Sequence, residues 1–427
     1  MAFNVPKFSS LSKLGNVLSS SVGETLGINT THALPIAIEF GTAALKILQV
    51  QQGEPPSLVA AACLETPLDL LRDQSRRLKF QLEGLPRLLR SGGFKGKRAV
   101  CAIPAWAIHC KHLSLQRVEG QSTAALVNAA LPGAFNLDPA TIVHRFTEVP
   151  APDRPGKAEV IVTAVSFELV QQLMGAIAAC KLQPVGMHSE FAAVLRTFDH
   201  VHKRETDSAI NTLYLDIGNA TTNVMISHGK DLAFARAIQL GGRHFDETIA
   251  KQLKCDLAEA GRRRMEADEL VRTIHRPATV AAPAPALVGA GAHAEPFKRS
   301  DERGLQPLAT GFTTDLAAQP RAAFAPAAAD LSEPLESLTD EVLMCVRYHE
   351  SQFPGKRVER AIFVGGEARH KGLCQAIAKA LRLPAQMADP LARVARTGSE
   401  PALGVDLKQP QPGWAVTLGL CLSPTDL

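Results

Sequence analysis

The stretch "PIAIEFGTAALKILQV", residues 35–50, places an acid and a glycine turn directly after a short apolar strand. Glu39 ends the strand, Gly41 and Thr42 form the turn, and Lys46 lies in the apolar segment beyond it. A carboxylate beside several backbone N–H groups suits a metal ion and a phosphate. Taken alone, the pattern also fits an ordinary hairpin whose charged side chains are solvated. The choice between the two depends on whether a second such turn exists.

A second stretch, "LYLDIGNATTN" at residues 213–223, repeats this arrangement of strand, acid, glycine and small hydroxyl residues. Its acid, Asp216, lies about 175 residues after the first acid. Two turns with matched acids predict two halves of the chain that face one anion. A third stretch, "AIFVGGEARHKGL" at residues 361–373, is a strand that ends in two glycines, which let a flat ligand approach the backbone closely.

Composition limits the classes of function. The 427 residues are 46% apolar, which is enough for two or more domains with real cores. A net charge of +4 and only 5% aromatic residues argue against a nucleic-acid partner. The eight cysteines are scattered without a CxxC pair, and this usage predicts core thiols in a reducing compartment. With no signal peptide and no long apolar run, the sequence predicts a cytoplasmic protein.

Strands and helices alternate along most of the chain, as in α/β folds. The pattern predicts helices at residues 67–92, 122–131, 167–180, 242–264, 331–349 and 372–381, and strands at 98–104, 158–165, 211–226 and 361–364. Residues 8–26 carry an apolar stripe at helical spacing, which could pack on the protein, stay disordered, or lie on a membrane or partner. The Ala- and Pro-rich residues 275–330 are predicted to be a flexible insertion.

This order of motifs resembles the actin-like ATPase superfamily and, in detail, the family of the type IV pilus assembly protein PilM, a relative of FtsA. The resemblance covers most of residues 35–274 and 331–424. It implies an α/β, actin/Hsp70-like (ribonuclease H-like) two-lobe ATPase fold with an inserted small α+β subdomain. The implied units are an N-terminal extension (1–34), the first lobe (35–97), the inserted subdomain (98–185), the second lobe (186–274 and 331–427) and the flexible insertion (275–330).

The resemblance also implies a binding site for ATP and Mg²⁺. It assigns Glu39 and Asp216 to the metal. The nucleotide-binding residues that it implies are Gly41, Thr42, Lys46, Gly218, Asn219, Thr221, Gly241, Gly242, Arg264, Gly365, Gly366 and Ala368. Glu190 is placed where hydrolytic relatives position the attacking water, with Thr222 as its assistant. Glu190 equally fits a capping or surface acid, and that alternative stays open.

Two positions depart from the family pattern. The first acid is Glu39 instead of Asp, and Gly261 stands where the family has a ribose-binding Glu, with Arg264 in the place of its Lys. The departures predict weak or lost nucleotide binding. A nucleotide-free scaffold is therefore kept as an alternative to an ATP-binding one.

The function implied by the resemblance is a cytoplasmic scaffold for assembly of a type IV pilus or a related machine, with slow ATP hydrolysis at most. Its partner would be the short cytoplasmic tail of an inner-membrane PilN-like protein, held in a groove lined by residues of 98–185. That partner would keep the scaffold at the inner-membrane face. An FtsA-like or type II secretion-related protein is the alternative. A small-molecule kinase is disfavoured because the region around Glu190 offers no Asp.

Overall fold

The computed structural model describes residues 33–151, 154–202, 209–266 and 329–425. The predicted N-terminal amphipathic helix lies outside these residues, and so does the predicted insertion apart from its last two positions. In the described part, no helix is long and apolar enough to cross a bilayer.

Strands and helices alternate in these residues, as the sequence pattern predicts. The strands are β1 (Ile36–Phe40), β2 (Ala44–Gln51), β3 (Ser57–Glu65), β4 (Arg98–Ile103), β5 (His109–Gln116), β6 (Ile142–Val149), β7 (Lys157–Ser166), β8 (Gln183–Ser189), β9 (Asn211–Ile217), β10 (Thr222–His228), β11 (Asp231–Ile238), β12 (Arg360–Val364), β13 (Ala385–Met387) and β14 (Ala402–Leu403). The helices are α1 (Gln74–Ser91), α2 (Thr123–Phe135), α3 (Phe167–Ala179), α4 (Glu190–Thr197), α5 (Gly242–Leu253), α6 (Leu257–Glu266), α7 (Ser332–Gln352), α8 (Lys371–Leu381) and α9 (Ala415–Cys421).

These strands form three sheets. The first has the order β14-β3-β2-β1-β4-β8, the second β11-β10-β9-β12-β13, and the third β5-β7-β6. In both large sheets an antiparallel hairpin is extended by parallel strands: β1 pairs with β2 and β4, and β9 pairs with β10 and β12. The two turns recognised in the sequence are therefore the β1–β2 and β9–β10 turns, at equivalent positions of the two sheets.

The boundaries predicted for the inserted subdomain are wrong at both ends. The prediction started the subdomain at residue 98, but β4 pairs in parallel with β1, from Ala99 opposite Ile36 onward. β8 in turn pairs with β4, so residues 183–189 also belong to the first sheet. The subdomain is the third sheet with α2 and α3, and the second sheet begins with β9. Apolar strands buried on both faces resemble one another in sequence, so pattern alone did not assign β4 to its sheet.

One predicted helix is two helices. The apolar period of residues 242–264 continues through the junction, but α5 ends at Lys254, whose φ of 53° is left-handed. The side chain of Asp256 then accepts a hydrogen bond from the Glu259 N–H at 2.8 Å, which starts α6. A left-handed residue followed by an aspartate cap ends one helix and begins another.

A continuous apolar core joins the two large sheets. It contains Ala37 and Leu48 from the first sheet, Tyr214 and Ile362 from the second, and the apolar residues of α4 and α9. Because α4 and α9 pack between the two large sheets, their positions determine how the sheets face each other across the cleft.

Candidate functional site

The β1–β2 turn, the β9–β10 turn and the glycines after β12 surround one cleft of about 370 Å³. Eleven of the residues predicted from the sequence line it: Glu39, Gly41, Thr42, Lys46, Glu190, Asp216, Gly218, Asn219, Thr221, Gly365 and Gly366. The predicted pair of facing turns is thus present in one place.

The β1–β2 turn is held tightly from both sides. The Gly41 N–H donates to the Ala44 carbonyl at 3.0 Å, and the Gln81 side chain donates to the Gly41 carbonyl at 2.7 Å. Lys46, on the strand after the turn, forms an ion pair with Glu39 at 2.9 Å and donates to the Gly413 carbonyl at 2.5 Å. The lysine therefore links Glu39, near the end of β1, to the loop that precedes α9.

The β9–β10 turn is packed against the start of α5. The Gly218 N–H donates to the Thr221 carbonyl at 2.9 Å, and the Gly242 N–H donates to the Gly218 carbonyl at 3.0 Å. A Cβ on Gly241 would lie 2.3 Å from that same carbonyl, so a side chain is excluded there. Gly241 and Gly242, predicted to bind the nucleotide, do not line the cleft; they let α5 approach the turn.

Three carboxylates face the cleft between the turns. The Asn223 amide donates to Glu190 at 2.8 Å and to Asp216 at 3.2 Å, and the second oxygen of Glu190 accepts from the Ala105 N–H at 3.1 Å. Burial, together with the neighbouring Asp216 and Glu39, raises the pKa of Glu190 to about 8. Burial and Glu39 raise the pKa of Asp216 to about 6. Burial is the larger cause of both shifts, and repulsion between the neighbouring acids adds to it.

The donor set of the cleft fits a hydrated divalent cation. One oxygen of Glu39 is buried without a hydrogen-bond partner, and Asp216 lies across the cleft from it. Carboxylate oxygens and water are the ligands that Mg²⁺ prefers. Among the described residues, no group of three or more acidic, histidine or cysteine side chains is arranged to hold a metal ion. Such an ion would therefore keep several of its waters.

The glycine turn after β12 closes the far end of the cleft. Gly365 has a φ of 93°, and a Cβ there would lie 2.3 Å from the Ile217 carbonyl, so the position requires glycine. Ala368, predicted to contact the nucleotide, instead packs in the core of the second sheet. Its small side chain supports the turn from behind.

Two further predicted residues do not reach the cleft. The Thr222 hydroxyl is buried and donates to the Leu240 carbonyl at 2.8 Å, because alternate residues of β10 face opposite sides of the sheet. Arg264 is buried beneath the cleft and binds two acids, Asp246 at 2.7 Å and Glu367 at 2.6 Å. Neither side chain lines the cavity, since Thr222 is engaged by the Leu240 carbonyl and Arg264 by the two acids.

The cleft also contains residues that the sequence prediction missed. Asn223, and not Thr222, lines the cleft and contacts its acids. The alternation of side chains along β10 would have indicated that residues 222 and 223 face opposite sides of the sheet. Glu367 and Arg369 follow the two glycines and line the same wall, where Arg369 donates to Gln411 at 2.6 Å. Trp106 lines the opposite rim, with the Arg77 guanidinium 5.8 Å from its ring centre. No local motif marks Trp106, because it reaches the cleft only through tertiary packing.

Glu190 is neither a capping residue nor a surface acid. It is 8% exposed, at the start of α4, and the cap of that helix is Ser189, whose hydroxyl accepts from the Ala192 N–H at 3.3 Å. The structure thus places Glu190 inside the cleft.

A second, smaller cavity of about 80 Å³ lies between the third sheet and the first. It is lined by Ile103, Ile108, Val143, His144, Arg145, Thr163, Ala164, Val165, Val170, Met187 and Ser189. We call it the subdomain groove. Its lining is mostly apolar and comes chiefly from the region in which the sequence analysis expected a partner groove.

Comparison with known proteins accounts for this architecture. The family model of the type IV pilus assembly protein PilM matches residues 37–272, more than half of the chain. The chain belongs to the PilM family. The model of the cell division protein FtsA matches residues 213–410, the second lobe of the actin-like fold. Comparison with curated protein sequences gives no match.

A solved structure of a PilM-containing complex shows the same fold. The chain is similar to a structure of the PilM–PilN type IV pilus biogenesis complex, with 20% identity, a TM-score of 0.63, and coverage of 91% of this chain and 97% of that one. More distant similarity exists to MreB5 of Spiroplasma citri bound to ADP, with 12% identity, a TM-score of 0.43, and coverage of 92% and 96%. The ethanolamine utilization protein EutJ of Carboxydothermus hydrogenoformans is 13% identical, with a TM-score of 0.41 and coverage of 91% and 89%.

Proposed function

We propose that this PilM-family protein is a cytoplasmic scaffold for type IV pilus assembly that binds ATP and Mg²⁺ in the cleft. The same scaffold recruits an inner-membrane PilN-like protein through its short tail and so stays at the membrane face. The observation that carries the proposal is the pair of facing turns, each with its acid, around one cavity in a chain of this family.

Different residues of the cleft would bind the phosphates and the metal ion. Backbone N–H groups of the β1–β2 and β9–β10 turns would hold the β- and γ-phosphates. Glu39 and Asp216 would hold the waters of the Mg²⁺ ion, and Lys46 supplies the fixed positive charge next to them. When bound, Mg²⁺ neutralises phosphate charge and orients the triphosphate. Its positive charge would also offset the repulsion between the acids of the cleft.

Hydrolysis in this cleft is expected to be slow. Positioning an attacking water requires a carboxylate that is available to accept a hydrogen bond from it. Both oxygens of Glu190 are engaged, by Ala105 and Asn223. Thr222 cannot assist, because its hydroxyl is turned away. These contacts favour a protein that holds nucleotide over one that turns it over.

The subdomain groove is the proposed site of the partner's tail. Ile103, Ile108 and Met187 give it apolar walls, and β6 is an edge strand of the third sheet beside it. An extended peptide can bind in this setting through apolar side chains and an exposed strand edge. The likeness to the PilM–PilN complex supports this assignment of partner.

Calorimetric titration with ATP and Mg²⁺ tests the cleft. We expect binding by the wild type and its loss in Asp216→Ala, because that change removes one of the two acids facing the metal. Glu65→Gln, at an exposed acid on the cleft rim, is the control and should bind as the wild type does. Absence of binding by the wild type would contradict the ATP proposal and leave a nucleotide-free scaffold.

Titration with a synthetic peptide of the PilN-like protein's N-terminal tail tests the groove separately. We expect Val143→Asp to weaken binding at least tenfold, because a charge would face the apolar lining. Val118→Asp is the matched control, since Val118 is 47% exposed on the same subdomain and lies outside the groove. Equal weakening by both variants would contradict the assignment of this groove.

A further inference from the structure

A buried ion cluster lies directly behind the glycine turn of the cleft. The Arg264 side chain is 3% exposed and donates two hydrogen bonds to Asp246, at 2.7 and 3.2 Å, and one to Glu367, at 2.6 Å. The cluster joins α5, α6 and the turn that follows β12. Three of the five N–H donors of the guanidinium are used on these two acids, and the Arg264 side chain does not line the cleft.

Glu367 is the member of this cluster that reaches the cleft. Its side chain is 12% exposed and forms part of the cavity wall together with Gly365 and Gly366. One of its oxygens binds Arg264, and the other lies where a Cβ on Gly242 would be, only 2.1 Å away. Gly242 in turn donates its N–H to Gly218 of the β9–β10 turn. The carboxylate is therefore held immediately beyond the second turn.

The negative charge of Glu367 limits which part of a nucleotide can lie next to it. The carboxylate repels phosphate and accepts hydrogen bonds from hydroxyl groups. If the triphosphate lies at the two turns, the next part of the nucleotide along the cleft is its ribose. We propose that Glu367 accepts hydrogen bonds from the ribose hydroxyls and that Arg264 is the positioning residue that fixes this carboxylate. The inference rests on the proposed binding of ATP.

Gly261 fits this arrangement. A Cβ on Gly261 would lie 3.5 Å from an Asp246 oxygen, in ordinary contact, so the glycine faces the ion cluster. An acidic side chain at 261 would bring a third carboxylate to the single guanidinium. Without it, Arg264 is shared by two acids only, and it holds Glu367 at the wall of the cleft. The ribose-binding acid is thus relocated from α6 to the turn after β12.

Comparison of ATP with 2′,3′-dideoxy-ATP, each with Mg²⁺, tests the role of Glu367. A hydrogen bond to a charged group contributes about 1.5–3 kcal/mol, so we expect the wild type to bind ATP at least tenfold more tightly than the dideoxy nucleotide. Glu367→Gln keeps the shape and a hydrogen bond to Arg264 but lacks the charge. This variant should bind the two nucleotides within about threefold of each other.

The control is Glu336→Gln, which makes the same change at an exposed acid of α7 that does not line the cleft and should keep the full discrimination. Arg264→Lys keeps the buried charge but not the forked hydrogen bonds. It should reduce the ratio of the two affinities more than it reduces binding of the dideoxy nucleotide, which a purely structural defect would not do.

The outcomes separate this inference from the proposed function. Tight and equal binding of both nucleotides by the wild type would overturn the role of Glu367 and leave ATP binding intact. Discrimination that persists in Glu367→Gln, or that is also lost in Glu336→Gln, would overturn it as well. No binding of either nucleotide by the wild type would overturn both proposals.

Discussion

Glu190 is a buried acid whose surroundings disfavour its ionised form. Its pKa is raised to about 8 by burial and by Asp216 and Glu39, against an ordinary value of 4.5. Between pH 4.5 and 8 the folded protein holds a proton there that the unfolded chain has released. Stability conferred by this group is therefore present at low pH and is lost as the pH rises through 8.

We predict that Glu190→Gln stabilises the protein without Mg²⁺ at pH 8, because the amide carries no charge to bury. The gain in the free energy of unfolding should be about 1–3 kcal/mol and should disappear near pH 4.5. Urea unfolding at both pH values measures it, with Glu65→Gln as the control. The prediction fails if the variant and the wild type have equal stability at pH 8.

The acids of the two turns were predictable from the sequence, whereas the environment of Glu190 was not. Glu39 and Asp216 each follow a recognisable strand and precede a glycine, so local pattern locates them. The state of Glu190 depends on Ala105 and Asn223, which are far away along the chain. The surroundings of Arg264 were not predictable from the sequence either. Its position in the family motif implied a contact with the nucleotide, but its side chain is bound by Asp246 and Glu367.

At the scale of elements, α4 and α9 touch through their backbones. A Cβ on Gly419 of α9 would lie 1.7 Å from the Ala193 carbonyl of α4 and 2.8 Å from the Thr197 hydroxyl. A side chain there would force apart the two helices that join the large sheets. The apolar sequence of α9 indicates a buried segment, but nothing in its pattern indicates the close approach to α4.

We predict that Gly419→Ala lowers the free energy of unfolding by about 3 kcal/mol or more, because the overlap is with rigid backbone. Gly175→Ala is the matched control, since Gly175 lies in α3 and a Cβ there would meet nothing within 4 Å. The control should gain about 0.5–1 kcal/mol from its helix propensity. Chemical denaturation of both variants measures their free energies of unfolding. Equal stability of the two would contradict the packing argument.

Three histidines, of which His349 is buried and the other two are half-buried, lie where the third sheet meets the second. His112 of β5 stacks on Phe234, with 4.7 Å between ring centres, and accepts a hydrogen bond from the Ala235 N–H. His228 and His349 share a hydrogen bond of 2.8 Å between their Nε2 atoms. Burial lowers the pKa of His112 and His228 to about 4 and that of His349 to about 3. The three rings therefore stay neutral in the folded protein.

We predict that imidazole NMR resonances of these three residues titrate below pH 5. Because their folded pKa values lie below the ordinary value of 6.5, the stability they confer is complete above pH 6.5 and is lost as the pH falls toward 4. Single His→Phe variants assign the resonances. Titration of any of the three near pH 6.5 would show that the junction is open to solvent.

At the scale of the whole molecule, two lobes share one core. The apolar cluster that contains Tyr214 and Ile362 of the second sheet also contains Ala37 and Leu48 of the first. The sequence predicted two lobes and a cleft because its motifs repeat, but it contained no sign of this continuity. A shared core couples the lobes, so neither is expected to unfold alone.

We predict a single calorimetric unfolding transition that moves to higher temperature with ATP and Mg²⁺. Ligand that binds only the folded state adds about 2.7 kcal/mol of stability at a hundredfold excess over its dissociation constant. The Asp216→Ala variant should unfold in one transition too, but without the shift, because the shared core does not involve Asp216. Two separated transitions in the wild type would contradict the coupling of the lobes. A shift that persists in Asp216→Ala would instead place nucleotide binding outside the cleft, since the cores of both proteins are the same and only the acid facing the metal differs.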